Sequence, residues 1–255
     1  MSASLSSIKT KFLFLDFDGV LCDSAPETFL SSWLAFYRFY RRSEPDFVLL
    51  SHYAGYRRLR PFLRESEDNL VIQKLLAEGR EPQSQDEFDA ELGAIGPELL
   101  ARFKRLFEKA RRYLLANDRK AWLKLCPLYS FLKDKAAFIL QKQQVFIIST
   151  KKREFIQEIL NEAGVKLDPA RILYAAGKKK LLVIKEFLQA WPTSEAIFID
   201  DQLDHLKDNT DARIHVYLPR WGYVRREWLD FYWQPSRQTE TPLRAVSYTH
   251  LTLPT

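Results

Sequence analysis

Four apolar residues in a row, Phe12-Leu-Phe-Leu15, stand between Lys11 and Asp16. A run this short, without helical period and closed by polar residues, predicts a buried strand. Val145-Phe-Ile-Ile148 and Ala196-Ile-Phe-Ile199 repeat the pattern, and Ile172–Tyr174 and His215–Leu218 read as shorter strands. Between them the period changes to that of a helix, over Tyr129–Lys142, Arg153–Ala163 and Lys180–Ala190, with Gly164 placed to end the second. Strand and helix alternating at this spacing predict βαβ units, hence a parallel sheet with right-handed crossovers.

The stretch between the first two long strands reads differently. Pro26 is placed to open a helix that carries Phe29, Trp33, Phe36, Tyr37 and Tyr40 at helical spacing, a stripe that reads as core packing. Arg41-Arg-Ser-Glu-Pro45 breaks it. Tyr56–Leu76 mixes arginine with apolar residues, Glu78–Glu87 reads as an exposed loop, and Pro97–Leu115 as another amphipathic helix. Nothing from 24 to 126 is strand-rich, and no internal repeat is present. The predicted class is therefore α/β: a doubly wound parallel sheet from residues 8–22 and 128–233, with a mainly helical cap, 23–127, inserted after the first strand. Residues 234–245 are polar and read as a loose tail. Residues 246–255, Val-Ser-Tyr-Thr-His-Leu-Thr-Leu-Pro-Thr, read as the translation of a transposon adapter used in sequencing libraries. They are left out of the fold, and the natural C-terminus is then expected to be missing or replaced.

Composition narrows the classes. The 255 residues are 46% apolar and 28% charged, an ordinary globular balance. No apolar run approaches the ~18 residues of a membrane span, and Met-Ser-Ala-Ser-Leu-Ser-Ser at the start lacks the marks of a signal peptide. Two cysteines, Cys22 and Cys126, point to no disulfide framework and no cysteine-type zinc site. The chain reads as cytosolic, with no membrane partner. Its net charge of +6 suits nucleic acid or a small phosphorylated substrate equally. No zinc-finger or RRM-type pattern accompanies it, so nucleic acid is not the expected partner.

Candidate chemistry sits at the strand ends. The first long strand ends in Asp16-Phe-Asp18-Gly19, the second in Ser149-Thr150, the third in Asp200-Asp201, and Lys178-Lys179-Lys180 opens the helix before the third. Parallel strands bring such ends together on the edge where open α/β sheets bind ligands. Gly19 lets the chain turn sharply there. Asp16, Asp18, Asp200 and Asp201 are too many carboxylates to leave close together unpaired: several must hold protons, or a cation must sit among them. Magnesium is the natural choice for carboxylate oxygens. Ser149 and a lysine would hold a phosphate, although Ser149-Thr150 can equally cap the helix that follows.

In these motifs the chain resembles the haloacid dehalogenase superfamily of phosphohydrolases. They occur in order: Asp16-Phe-Asp18-Gly19-Val20, then Ile147-Ile148-Ser149, a lysine within 178–180, and Phe198-Ile199-Asp200-Asp201. The resemblance covers about residues 8–20 and 128–225, while the cap matches only in position and helical character. Trp221-Gly222-Tyr223 is similar to a tripeptide of the phosphoglycolate-phosphatase-like members. The resemblance implies that Asp16 is the nucleophile and forms an aspartyl phosphate. It implies that Asp18 protonates the leaving group and then activates water, its backbone carbonyl also meeting magnesium. Asp200 and Asp201 complete the metal site with Asp16 and Asp18; Ser149, Thr150, Gly19 and the lysine bind the phosphate, the lysine also neutralising charge at the nucleophile and Gly19 permitting the loop.

Helical register selects Lys180 as that lysine, because Val183, Ile184, Phe187 and Leu188 then form one buried face; Lys178 and Lys179 are the alternatives. Asp204 and His205 follow the fourth motif, with His205 where many relatives carry asparagine; its expected role is support rather than ligation. Cys22 reads as a packing residue and Asp23 as a loop-fixing one. In the cap, Arg57, Arg58, Arg60 and Arg64 are unassigned, and Arg60, before Pro61, is the candidate to read a carboxylate or second phosphate. The expected activity is a magnesium-dependent phosphatase acting on a small phosphorylated metabolite. A phosphomutase uses the same residues, and a non-catalytic phospholigand-binding protein is the alternative of a different class. Substrate and oligomeric state are not legible in one sequence.

Overall fold

Phe12, Leu13, Phe14 and Leu15 are all buried, so the strand they form is covered on both faces. The computed structural model describes residues 10–41, 50–133, 135–175, 177–232 and 243–246. In chain order its elements begin with β1 (Lys11–Leu15), α1 (Ala25–Phe36), α2 (Leu50–Leu59), α3 (Asn69–Glu78), α4 (Gln85–Ile95), α5 (Pro97–Asn117) and α6 (Arg119–Lys124). Then follow α7 (Ser130–Lys133), α8 (Ala136–Gln141), β2 (Val145–Ser149), α9 (Arg153–Glu162), β3 (Ile172–Tyr174) and α10 (Lys180–Gln189). The last are β4 (Glu195–Ile199), β5 (Ile214–Pro219), α11 (Arg226–Tyr232) and β6 (Leu243–Val246). The chain divides into two units, one spanning Cys22–Pro127 and the other built from the residues before and after it.

The second of these is the α/β unit. Its strands pair in parallel in the order β3-β2-β1-β4-β5-β6. β1 lies in the middle, with Leu15 beside Ile147 of β2 and Ile199 of β4. Winding reverses between β1 and β4, and the crevice at the carboxyl ends of such a pair is where open sheets take ligands. Phe12, Phe14, Phe198 and Val216 of the strands pack with Leu181, Ile184 and Leu188 of α10. Phe187 meets the rings of Phe12 and Phe14 edge-on, at 5.0 and 5.3 Å. Each such side chain contributes about 1.5–3 kcal/mol when fully buried.

Three expectations are corrected here. Residues 243–246, read as tail and adapter translation, form β6, with Val216 beside Leu243 and Pro219 beside Val246. Four residues are too few to show a period, whereas the open edge of β5 offers a row of backbone donors and acceptors to pair with. Tyr129–Lys142 is two short helices, α7 and α8, rather than one. Glu78–Glu87 is a loop only in its middle. Gly79, at φ 65°, ends α3 in the left-handed conformation, and the Ser84 side chain accepts from the Glu87 N–H to open α4.

The other unit is helical and contains no strand element among its described residues. The predicted stripe is seen in α1, where Phe29, Trp33 and Phe36 are buried, while residues 42–49, which include most of the predicted break, and the Tyr40 side chain lie outside the description. α1 packs against α5 through Ala35, Phe36, Phe103, Phe107 and Ala110. A polar seam crosses this contact: Arg111 donates to both oxygens of the fully buried Glu27, at 2.8 and 2.9 Å, and Ser31 Oγ donates to the same carboxylate at 2.7 Å. No helix among the described residues is long and apolar enough to cross a membrane.

Candidate active site

The parallel register brings the polar strand ends to one place. Asp16 follows β1 directly, and its N–H donates to the Ile199 carbonyl at 2.9 Å, so the residue stays on the sheet edge beside β4. Asp200 and Asp201 follow β4. All three aspartates are buried, and a carboxylate oxygen of each lies within 4.8 Å of the other two. Ser149, the last residue of β2, is buried on the other flank of β1.

Two lysines meet these acids. Lys180 opens α10, an unfavourable place for a cation because helix N-termini carry positive partial charge. It is 2% exposed, and its Nζ lies 2.9 Å from Asp16 Oδ1 and 2.7 Å from Asp200 Oδ2. Lys151 is buried as well, with Nζ 2.9 Å from Asp18 Oδ1. Asp200 also accepts the Gln202 N–H at 2.8 Å and lies 3.0 Å from His205 Nδ1. Asp201 accepts the Tyr223 N–H at 2.8 Å.

The electrostatics follow from burial and these partners. Burial pushes the Asp16 carboxyl up to about 6; Lys180 opposes the rise, while Asp200 and Asp18 add to it. Burial acts upward on Asp200 too, but His205 and Lys180 outweigh it and hold that carboxyl well below the usual range. Burial acts downward on Lys180, and Asp16 and Asp200 together hold it above an ordinary lysine. The three clustered carboxylates, Asp16, Asp200 and Asp201, outnumber the one ammonium, Lys180, that meets them, a surplus of negative charge that a divalent cation would offset. The donors are hard oxygens, which suits magnesium; Asp16, Asp200 and Asp201 are the side chains that would hold it.

A comparison with solved structures aligns nearly the whole chain. One is a predicted phosphoglycolate phosphatase from Haemophilus somnus, at TM-score 0.53 and 16% identity, covering 92% of each chain. A haloacid dehalogenase-like family hydrolase from Streptococcus pneumoniae aligns at TM-score 0.53 and 14% identity, covering 93% of each chain. A hydrolase from Pseudomonas syringae aligns at TM-score 0.53 and 11% identity, over 87% of this chain and 90% of that one. The fold is that of the haloacid dehalogenase-like hydrolases. No protein-family model and no curated protein sequence matches the chain.

Within this haloacid dehalogenase-like fold, the residues singled out in sequence fall into two groups. Asp16, Asp18, Gly19, Ser149, Lys180, Asp200 and Asp201 all belong to the α/β unit, at or beside the carboxyl ends of β1, β2 and β4. Lys178 and Lys179 are exposed and face Glu186 and Asp208 instead. Thr150 is half-buried in the turn after β2. Neither it nor Ser149 caps α9, whose N-cap residue is Lys152 without a side-chain bond. The Asp18 carboxylate is not among the three clustered for a cation; it is paired with Lys151. Arg60 belongs to the helical unit, where it opens a single 3-10 turn, Arg60–Phe62. In that unit Arg57 pairs with Asp23 at 3.0 Å, and Arg58 and Arg64 pair with Glu81 and Asp89.

Two supports of the site come from outside the four motifs, the tripeptide 221–223 and Lys151, and the first of them works with Gly19. Gly19, at φ 85°, and Gly222 pack on Asp201; a Cβ on Gly19 would fall 1.9 Å from Asp201 Oδ2, and one on Gly222 2.5 Å from its Cβ. Trp221 donates from its indole to the Val20 carbonyl at 3.0 Å, so the tripeptide 221–223 clasps the loop after β1. Its Trp-Gly-Tyr sequence was the available signal. Lys151 had none, since a lysine between a strand end and a helix ordinarily reads as solvated.

Proposed function

We propose that the protein is a magnesium-dependent phosphatase that hydrolyses a small phosphorylated metabolite through an aspartyl phosphate on Asp16. The observation that carries this is Lys180 bridging Asp16 and Asp200 at 2.9 and 2.7 Å inside a buried cluster of three carboxylates. A carboxylate held still by an ammonium, beside a cation site and with the Ser149 hydroxyl on the neighbouring strand end, suits attack on a phosphoryl group. Magnesium, when bound, supplies charge neutralisation at the phosphoryl oxygens.

In this reading Asp18 enters as the carboxylic acid: an Asp16 oxygen attacks phosphorus as the bond to the leaving oxygen breaks, and Asp18 gives that oxygen its proton. Asp18 then takes a proton from water, whose oxygen attacks the aspartyl phosphate and releases inorganic phosphate with Asp16 restored. Ser149 donates to a phosphoryl oxygen, and Lys180 offsets negative charge around Asp16 throughout. Arg60 of the helical unit remains the candidate for reading the rest of the substrate.

A panel of phosphorylated metabolites assayed with magnesium tests the reading. At least one member is expected to release phosphate, with EDTA abolishing turnover and Asp16→Asn lowering kcat by about 10³-fold or more, the scale on which loss of a nucleophile acts. Turnover that survives both changes would refute the mechanism. Transfer of the phosphoryl group between sugars without net release would identify a mutase, and binding without turnover a phospholigand receptor.

A further inference from the structure

We infer that Lys151 is a positioning residue that orients the Asp18 carboxylate for proton transfer to the leaving group; this rests on the phosphatase reading above. Lys151 lies in the turn between β2 and α9, two residues after Ser149. Its side chain is 1% exposed, and an ammonium is not buried this deeply without a counter-charge. That counter-charge is Asp18, at 2.9 Å, and the Lys151 N–H donates to Ser149 Oγ at 3.2 Å. One residue therefore joins the turn that presents the hydroxyl to the loop that presents the second aspartate.

Asp18 is held at its buried oxygen: Oδ1 faces the Lys151 ammonium at 2.9 Å, while the side chain as a whole keeps 17% exposure. Lys151 thus pairs with Asp18, while Lys180 serves Asp16 and Asp200 of the three-carboxylate cluster. A proton donor held in one orientation gains rate by alignment alone.

Leaving-group dependence separates this role from a structural one. Phenoxide needs a proton as it departs and dinitrophenoxide does not. Lys151→Met is expected to lower kcat/KM for phenyl phosphate about 10–100-fold while changing 2,4-dinitrophenyl phosphate by less than about threefold, in line with loss of general-acid help. Lys151→Arg should restore most of the phenyl phosphate rate. In an Asp18→Asn background, Lys151→Met should leave the leaving-group dependence unchanged. Equal losses on both esters, or a further change in that background, would overturn the inference; should Lys151→Met not fold, Lys151→Gln carries the same comparison. A wild-type protein that releases phosphate from neither ester nor any member of the metabolite panel with magnesium refutes the phosphatase reading and this inference together, whereas wild-type turnover with the dependence unmoved by Lys151→Met refutes the inference alone.

Discussion

Gly19 has no room for a side chain: its Cβ would fall 1.9 Å from an Asp201 oxygen, and its φ of 85° is one that L side chains rarely adopt. Gly19→Ala is therefore expected to push Asp201 out of the cluster and weaken magnesium binding about 10–100-fold, the usual cost of disturbing the support of a ligand. Calorimetric titration checks this, and unchanged affinity in a folded variant would show that Asp201 is not a ligand. Gly19 was legible because glycine directly after a strand end and two acids has few other uses. Lys180 was legible through register, since Ile184 and Leu188 are buried and Val183 and Phe187 half-buried beneath it. Lys151 was not: its burial depends on Asp18, more than a hundred residues earlier in the chain, and no local pattern records that.

At the scale of elements, α1 and α5 are joined by an apolar contact with a charge pair set inside it. Glu27 is fully buried, so removing Arg111 strips a carboxylate out of reach of bulk water of the guanidinium that faces it. Arg111→Met is expected to destabilise the protein by about 3–5 kcal/mol, whereas Glu27→Leu with Arg111→Met should recover much of that. Denaturant unfolding measures both; a single variant as stable as the double one would show the pair to be inconsequential. Strands β1, β2 and β4 were legible as apolar runs because both their faces are covered. β6 was not, since its pairing comes from the edge of β5 rather than from anything in Leu-Arg-Ala-Val.

For the molecule as a whole, the strand order places the acids that follow β1 and β4 side by side, where three carboxylates outnumber the one lysine among them. A cation that binds only the folded state raises its stability. Magnesium at a hundredfold excess over its Kd is expected to add about 2.7 kcal/mol to the EDTA-treated protein, and Asp200→Asn should abolish the gain. Thermal unfolding with and without magnesium decides it, and an equal gain in the variant would place the ion elsewhere. The same strand order also sets a timetable for synthesis. β1 leaves the ribosome first, yet its neighbours are residues 145–149 and 195–199, and the whole of 22–127 emerges in between. The helical unit completes its chain while Phe12-Leu-Phe-Leu15 is still an unpaired, sticky segment, and β1 can gain both its neighbours only once residue 199 is made. The strand that anchors the chemistry is thus the one that nascent-chain chaperones have longest to guard.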